Sequence, residues 1–371
     1  MVGFLSTLPY LQTLGFGLVG YDDPWLIGQN ALLSQPSLAG LGQIWFDLSE
    51  ATRLRLGAEY LPVRDMSVML DHVLFGSAYA WFHLVNVLLY ALVCGVAVLV
   101  LARWTGDLRL AALAGLLFAM HPIHAEAVAW LSERKGLLAA LFSLTAALTF
   151  LFSCQAETIK RRLLWLLASG FLIALACWSK AVGVASVGLL AGLLLFFPER
   201  VLNRRHAWAS LAALSVLAVL ALLPVYTVAQ ALVVEQQQHA QGILDNLWLG
   251  MRILGLNLSH LVGLGPLGIR YDIPAGSLSG ATGIVFTLGS AALLVLGLFR
   301  ASERPTLRII ALGLVLFWAF YLPVSQLIIP LQNLAADRYL LLPSLGLCLV
   351  LVLPLSRMPR LGVVVTLALA L

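Results

Sequence analysis

The sequence predicts an all-α integral membrane protein, a polytopic bundle of about 10–11 transmembrane helices with a long loop after the first span. Three observations carry that prediction. Of 371 residues, 61% are hydrophobic and 11% charged, whereas soluble domains are about a quarter charged. Uncharged stretches close to the ~20 residues that cross a bilayer as a helix recur between short clusters of Arg and Glu. Finally, most Lys and Arg residues fall in alternate loops, as they do in membrane proteins whose basic loops stay in the cytoplasm.

The first apolar stretch, 3–20, is interrupted by Pro9 and glycines. It lacks a basic leader and an A-x-A-like cleavage site, so it reads as a short retained helix rather than a signal peptide. Further spans are predicted at 80–102, 110–120 (continuing into its loop), 137–154, 163–178, 182–197, 207–233, 281–299, 309–324 and 339–355. The last stretch, 361–371, stops at Leu371 in mid-membrane, which predicts a chain truncated at its C-terminus. Residues 1–371 thus form a single transmembrane domain. Cys94, Cys154, Cys177 and Cys348 fall in or at the ends of spans and read as small buried hydrophobes. A net charge of +5 does not point to nucleic acid, because the basic residues are spread among short loops.

One set of loops holds 13 of the 22 Lys and Arg residues against four acids, and the other holds 9 basic residues against 13 acids. The first set is therefore assigned to the cytoplasm. The opposite side receives loops at 21–79, 121–136, 179–181, 234–280 and 325–338. Parity then requires that 241–264 not cross. It is read as an interfacial or re-entrant helix, with Asp245, Arg252 and Ser259 in a polar stripe, the alternative being a true span with a polar lining.

Three clusters on the non-cytoplasmic side can carry chemistry. Asp22 and Asp23 follow the first span directly, and adjacent carboxylates at a membrane mouth must be hydrated, metal-bound or used. The plain alternative is a helix cap ahead of Pro24. His121-Pro122-Ile123-His124-Ala125-Glu126 precedes Ser132-Glu133-Arg134-Lys135. A divalent metal held by Asp22, Asp23, His124 and Glu126 is one reading, but the spacing matches no zinc pattern and favours hydrogen-bonded structural roles. Gln332 to Tyr339 places Asp337 and Arg338 at the entry to a span. With Lys180, Arg134 and Lys135, Arg338 supplies cations at head-group level, where a phosphate or diphosphate would sit. The plain alternative pairs Asp337 with Arg338 or Lys180. In the first loop, Arg64 and Asp65 lead into the amphipathic stretch Met66–Phe75, which can lie flat on a membrane. His83 and Asn86 read as capping or packing residues. Walker A, H-E-x-x-H and G-x-S-x-G motifs are all missing, and no internal repeat marks a transporter.

Taken in order, YDDPWLI, YLPVRDMSVMLDHVLFG with FHLVNVLLYAL, HPIHAEAVAWLSERK, the Ser179-Lys180 turn and PLQNLAADRYLLLPSLG resemble a known family. The chain resembles a bacterial relative of the transmembrane-and-tetratricopeptide-repeat O-mannosyltransferases, within the glycosyltransferase C superfamily, over nearly its whole length. The resemblance implies a GT-C-like fold in the bacterial inner membrane. It also implies transfer, with inversion, of a sugar from a polyprenyl-phosphate donor to an acceptor on the periplasmic face, commonly a protein Ser/Thr hydroxyl. By the same resemblance, Asp22 or Asp23 is the general base, with Asp22 favoured and Asp23 holding a metal, the acceptor or the base itself. Arg338, Lys180, Arg134, Lys135 and Arg64 would bind the donor phosphate, and His121, His124, Glu126 and Asp337 would shape the sugar pocket. The 34-residue periodicity of the family's repeats is not seen, which leaves a glycan acceptor open. The competing reading is a non-catalytic or transport protein for lipid-linked glycans on the same fold. Against transport, nearly all ionisable groups sit at span ends rather than along the membrane interior.

Overall fold

The structure is a computed structural model that describes residues 2–232, 242–271, 273, 278–300, 303–328, 331 and 333–358. All its regular elements are helical. After α1 (Val2–Leu5) and a 3-10 segment, Leu8–Gly15, the first long loop folds into α2 (Ala31–Ser34), α3 (Leu38–Phe46), α4 (Glu50–Arg55) and α5 (Pro62–Phe75). The bundle continues with α6 (Tyr79–Thr105), α7 (Leu108–Met120), α8 (Ala125–Ala129), α9 (Arg134–Cys154), α10 (Ile159–Ser179), α11 (Ser186–Phe196) and α12 (Arg204–Ala231). It is completed by α13 (Ile243–Leu261), α14 (Ser279–Arg300), α15 (Pro305–Tyr321) and α16 (Leu341–Leu351).

Among the described residues six helices are long and apolar enough to cross a membrane, and α7 with Pro122–Ala129, bent by 57°, forms either a broken span or a re-entrant loop. The bend has a sequence cause. Pro122 offers no amide hydrogen and drives the residue before it out of the helical region, so His121 is extended at ψ 123°. The protein is thus the all-α polytopic membrane protein that the composition predicts, but three predicted spans are short. The stretch 182–197 forms the short apolar helix Ala181–Phe196, and 339–355 forms the 11-residue α16 after a 3-10 turn at Asp337–Leu340. The first stretch breaks into α1 and its 3-10 segment, where Pro9 and the glycines interrupt it. The predicted span 361–371 lies outside the described residues.

Buried Tyr90, Trp104, Phe118, Phe150, Phe197 and Phe320 anchor a core shared by α6, α7, α9, α11 and α15. In a bilayer lipid tails are as apolar as leucine, so close packing must replace the hydrophobic effect in holding helices together. The contact between α15 and α16 shows how. A Cβ on Gly313 would stand 2.6 Å from the Gly346 carbonyl oxygen, so only glycine lets the two backbones come so near. All four cysteines are buried and free, as predicted.

The loops rich in Lys and Arg meet on one face. Arg308 pairs with Glu199 at 2.8 Å, Arg200 donates to the Trp104 carbonyl at 3.1 Å, and Arg357 donates to Thr306. The opposite face, which carries residues 21–79, is called the long-loop face. There Arg53, wholly buried, caps the end of α3 by donating to the carbonyls of Gln43, Ile44 and Asp47. Met66, Leu70, Val73 and Leu74 of α5 are exposed while Val63, Val68 and Asp71 are buried, giving the amphipathic helix the sequence predicts. Both ends of α13 touch this face. Asn246 donates to the Gln326 carbonyl at 3.2 Å, and His121 Nε2 lies 2.9 Å from the Leu261 carbonyl.

Candidate active site

The acidic pair after the first stretch splits into two environments. Tyr21 adopts a left-handed φ of 80°, which turns the chain sharply before Pro24 starts a short π-helical turn, Asp23–Gly28. That turn drives Asp23 inward. Its Oδ1 accepts from the Ser132 amide at 2.9 Å and from the Ser132 hydroxyl, and its Oδ2 accepts from the Val19 amide at 3.2 Å. Burial pushes the Asp23 carboxyl above the usual carboxylate range, although the Ser132 hydrogen bonds oppose the shift. Asp23 therefore straps the loop to the lead-in of α9, with both of its oxygens engaged. Asp22 is half-buried and its carboxylate makes no hydrogen bond or ion pair among the described residues; its charge acts on Arg64.

A narrow groove with an enclosed volume of about 30 Å³ lies between α9, the Lys180 turn, α15 and α16. At its head lie Lys180 and Arg338; Ala139, Ala140, Val182, Phe320 and Leu342 are among its apolar walls. Arg338 pairs with Glu126, which also accepts the Arg338 amide at 2.8 Å, and the guanidinium stacks 5.3 Å from the Trp130 ring. Tyr21 meets the same Trp130 edge-on at 5.8 Å, which brings the chain one residue before Asp22 to the head of the groove. Lys180 pairs with Glu133. Burial lowers the Lys180 ammonium and the Glu133 carboxylate opposes that shift. Lys135 forms a separate pair with Glu59 at 2.8 Å, and the same Glu59 oxygen binds Arg64 at 3.1 Å.

The structure distributes the other predicted residues differently. Arg134 is buried away from the groove, paired with Asp71 and donating to Asn86 Oδ1 at 2.7 Å and the Phe82 carbonyl at 2.9 Å, so its donors are committed to the fold. His124 is wholly buried between the Tyr90 hydroxyl at 2.7 Å and the Ser344 hydroxyl at 2.9 Å. His121 reaches the Leu261 carbonyl and accepts the Ile123 amide, because Pro122 turns the chain between the two histidines. Asp337 does not pair with Arg338 or Lys180. It accepts from the Tyr271 hydroxyl at 2.7 Å and the Gly268 amide at 2.8 Å, and burial raises its carboxyl. Arg64 lies in a buried pair with Asp65 at 2.7 Å and shares Glu59 with Lys135 rather than joining the groove cations. Asp22, Asp23, His124 and Glu126 do not converge, and among the described residues no three His, Cys, Asp or Glu side chains are grouped to hold a metal. Sequence reasoning missed Glu133, Trp130 and Glu59. Glu133 was legible as the acid just before the two motif cations Arg134 and Lys135, but its partner Lys180 is 47 residues away.

These arrangements define a multi-pass helical membrane protein with paired charges gathered at one mouth of the bundle. No protein-family profile matches the chain. Its relatives are protein O-mannosyl-transferases: it is 25% identical to TMTC4 of Mus musculus over 414 residues, covering 97% of this chain and 56% of the relative. It is 26% identical to TMTC4 of Homo sapiens, covering 95% of this chain and 54% of the relative. It is 33% identical to tmtc2 of Xenopus laevis over 194 residues, 50% of this chain and 22% of the relative. The chain spans about half the length of the TMTC4 relatives it matches.

Proposed function

We propose that the protein is a GT-C type membrane glycosyltransferase. It moves a sugar from a polyprenyl-phosphate-linked donor to an acceptor hydroxyl at the long-loop face, with inversion. On this reading the chain sits in a bacterial inner membrane with that face toward the periplasm, and α13 lies along the interface. The sugar is mannose and the acceptor a protein Ser/Thr hydroxyl, on the precedent of the relatives' names. The observation that carries the reading is the groove, which has two cations at its head and apolar walls below. A lipid phosphate has that division of chemistry, a charged head and a tail that stays in the bilayer.

In the reaction Asp22 takes the proton of the acceptor hydroxyl as its oxygen attacks the anomeric carbon from the side opposite the phosphate. The bond from that carbon to the phosphate oxygen breaks, and the negative charge left on the lipid phosphate is met by Lys180 and Arg338. Asp22 suits the base because its carboxylate is open, whereas Asp23 spends its oxygens on Ser132 and Val19. The test is transfer from polyprenyl-phosphate mannose to Ser/Thr peptides by the purified protein. Asp22→Asn should retain a monodisperse fold and lose about 10²-fold or more in rate. Full activity in that variant overturns the base assignment, and no transfer by the parent protein to any peptide or glycan acceptor favours the transport reading.

A further inference from the structure

Resting on the reading of the groove as a phosphate site, we propose that Glu133 is a resident counter-ion that the lipid phosphate must displace, so that it sets how tightly the phosphate is held. Glu133 is wholly buried immediately before α9. Its Oε1 accepts from Lys180. Its Oε2 has no hydrogen-bond partner among the described residues and lies 3.8 Å from Arg338 Nε. Leaving a buried carboxylate oxygen without a hydrogen bond costs about 1–3 kcal/mol, so the long Arg338 contact holds this oxygen less firmly than Glu126 is held. Glu126 binds Arg338 twice, through the guanidinium and through the backbone amide at 2.8 Å.

Arg338 shows the complementary asymmetry. Among the described residues its side-chain hydrogen bonds use Nη1, to Glu126 and to the Ile269 carbonyl at 3.0 Å. That leaves the Nε edge, which a two-oxygen acceptor can bind in a fork, facing Glu133 Oε2 only through the 3.8 Å ion pair. Space has been kept beside the Lys180 pair as well. A Cβ on Gly136 would stand 2.6 Å from Glu133 Oε1 and 3.7 Å from Lys180 Nζ. Two cations balanced by two carboxylates make the groove head electrically neutral. A phosphate arriving there meets Glu133 as a like charge in a poorly screened site, takes over Lys180 and the open edge of Arg338, and is later released as Glu133 returns.

The inference is tested by titrating the purified full chain in detergent with farnesyl phosphate, farnesol and inorganic phosphate. Glu133→Gln keeps the shape and removes the charge. It should bind farnesyl phosphate about ten-fold or more tighter than the parent, with farnesol unchanged. Inorganic phosphate, which has the head without the tail, should gain by the same factor from a much weaker starting affinity, identifying the lipid as the source. Unchanged or weaker farnesyl phosphate binding by Glu133→Gln, with the parent binding normally, overturns the counter-ion role and leaves the groove reading intact. A parent protein that binds neither phosphate overturns both. If Glu133→Gln does not fold, Glu133→Asp carries the test: it keeps the charge but shortens its reach to Lys180, so it should also tighten binding, and failure to do so is decisive.

Discussion

The two faces of the bundle use the same residue types in opposite ways. On the basic face, Arg300 and Glu303 pair at 3.0 Å while both remain more than half exposed. On the long-loop face, Arg134 and Asp71 pair with 1% and 5% of their side chains exposed. An exposed pair contributes about 0–1 kcal/mol, whereas removing one partner of a buried pair costs about 3–5 kcal/mol, because the other charge is stranded. Basic residues thus pair in the open on one side and build the architecture on the other. The buried pairs also leave few charges free, so that the open carboxylate of Asp22 and the open edge of Arg338 stand out.

That contrast can be broken at graded points. The largest expected effect is on Arg134→Met, which strands Asp71 and Asn86 and should lower stability by about 3–5 kcal/mol in a detergent melt. A loss below about 1 kcal/mol would show that the buried network is no stronger than the exposed one. Asp23→Asn comes next. It keeps the shape but sets an amide against donors that now meet a carboxylate, so a loss of about 1.5–3 kcal/mol is expected, with transfer falling only through stability. A larger fall in rate than in folded protein would return Asp23 to the chemistry.

Glu59 gives a pH-dependent effect of smaller size. Burial would raise its carboxyl, but Lys135 and Arg64 outweigh that and hold it at about 2. A carboxyl depressed in the folded state stabilises above its unfolded value near ~4.3, and that stability is lost as pH falls toward the folded value. The parent should therefore lose thermal stability between about pH 4.3 and 2 by more than Glu59→Gln does, and parallel curves would remove Glu59 from the network. The smallest effect belongs to Arg300→Ala, expected within ~0.5 kcal/mol of the parent.

Much of the fold was legible because its causes are local. The apolar stretches and Pro122 each act within a few residues of themselves, and the long helices form where the apolar stretches predict. Length was less legible: 3–20, 182–197 and 339–355 are apolar enough to be read as spans, but turns consume part of each. For the site, the motif segments come together at the long-loop face, but neighbours within a motif take different partners. Arg134 and Lys135 are neighbours in the sequence, yet α9 turns one toward Asp71 and the other toward Glu59. His124 and Glu126 share a motif, yet one is sealed between Tyr90 and Ser344 and the other grips Arg338.

The sequence by itself determined that this chain is helical and crosses a membrane, because hydropathy and charge act residue by residue along the chain. It also grouped Asp22, Glu126, Lys180 and Arg338 in loops of one side through the unequal spread of Lys and Arg. Only the tertiary structure decided which of those charges are spent and which are open. Pairing is fixed by contacts such as Arg338 with Glu126, 212 residues apart, and Ser132 with Asp23, 109 residues apart. A carboxylate in a sequence has the same chemistry wherever it stands. Burial and the partner brought to it by the fold are what make Asp23 a strap and leave Asp22 open.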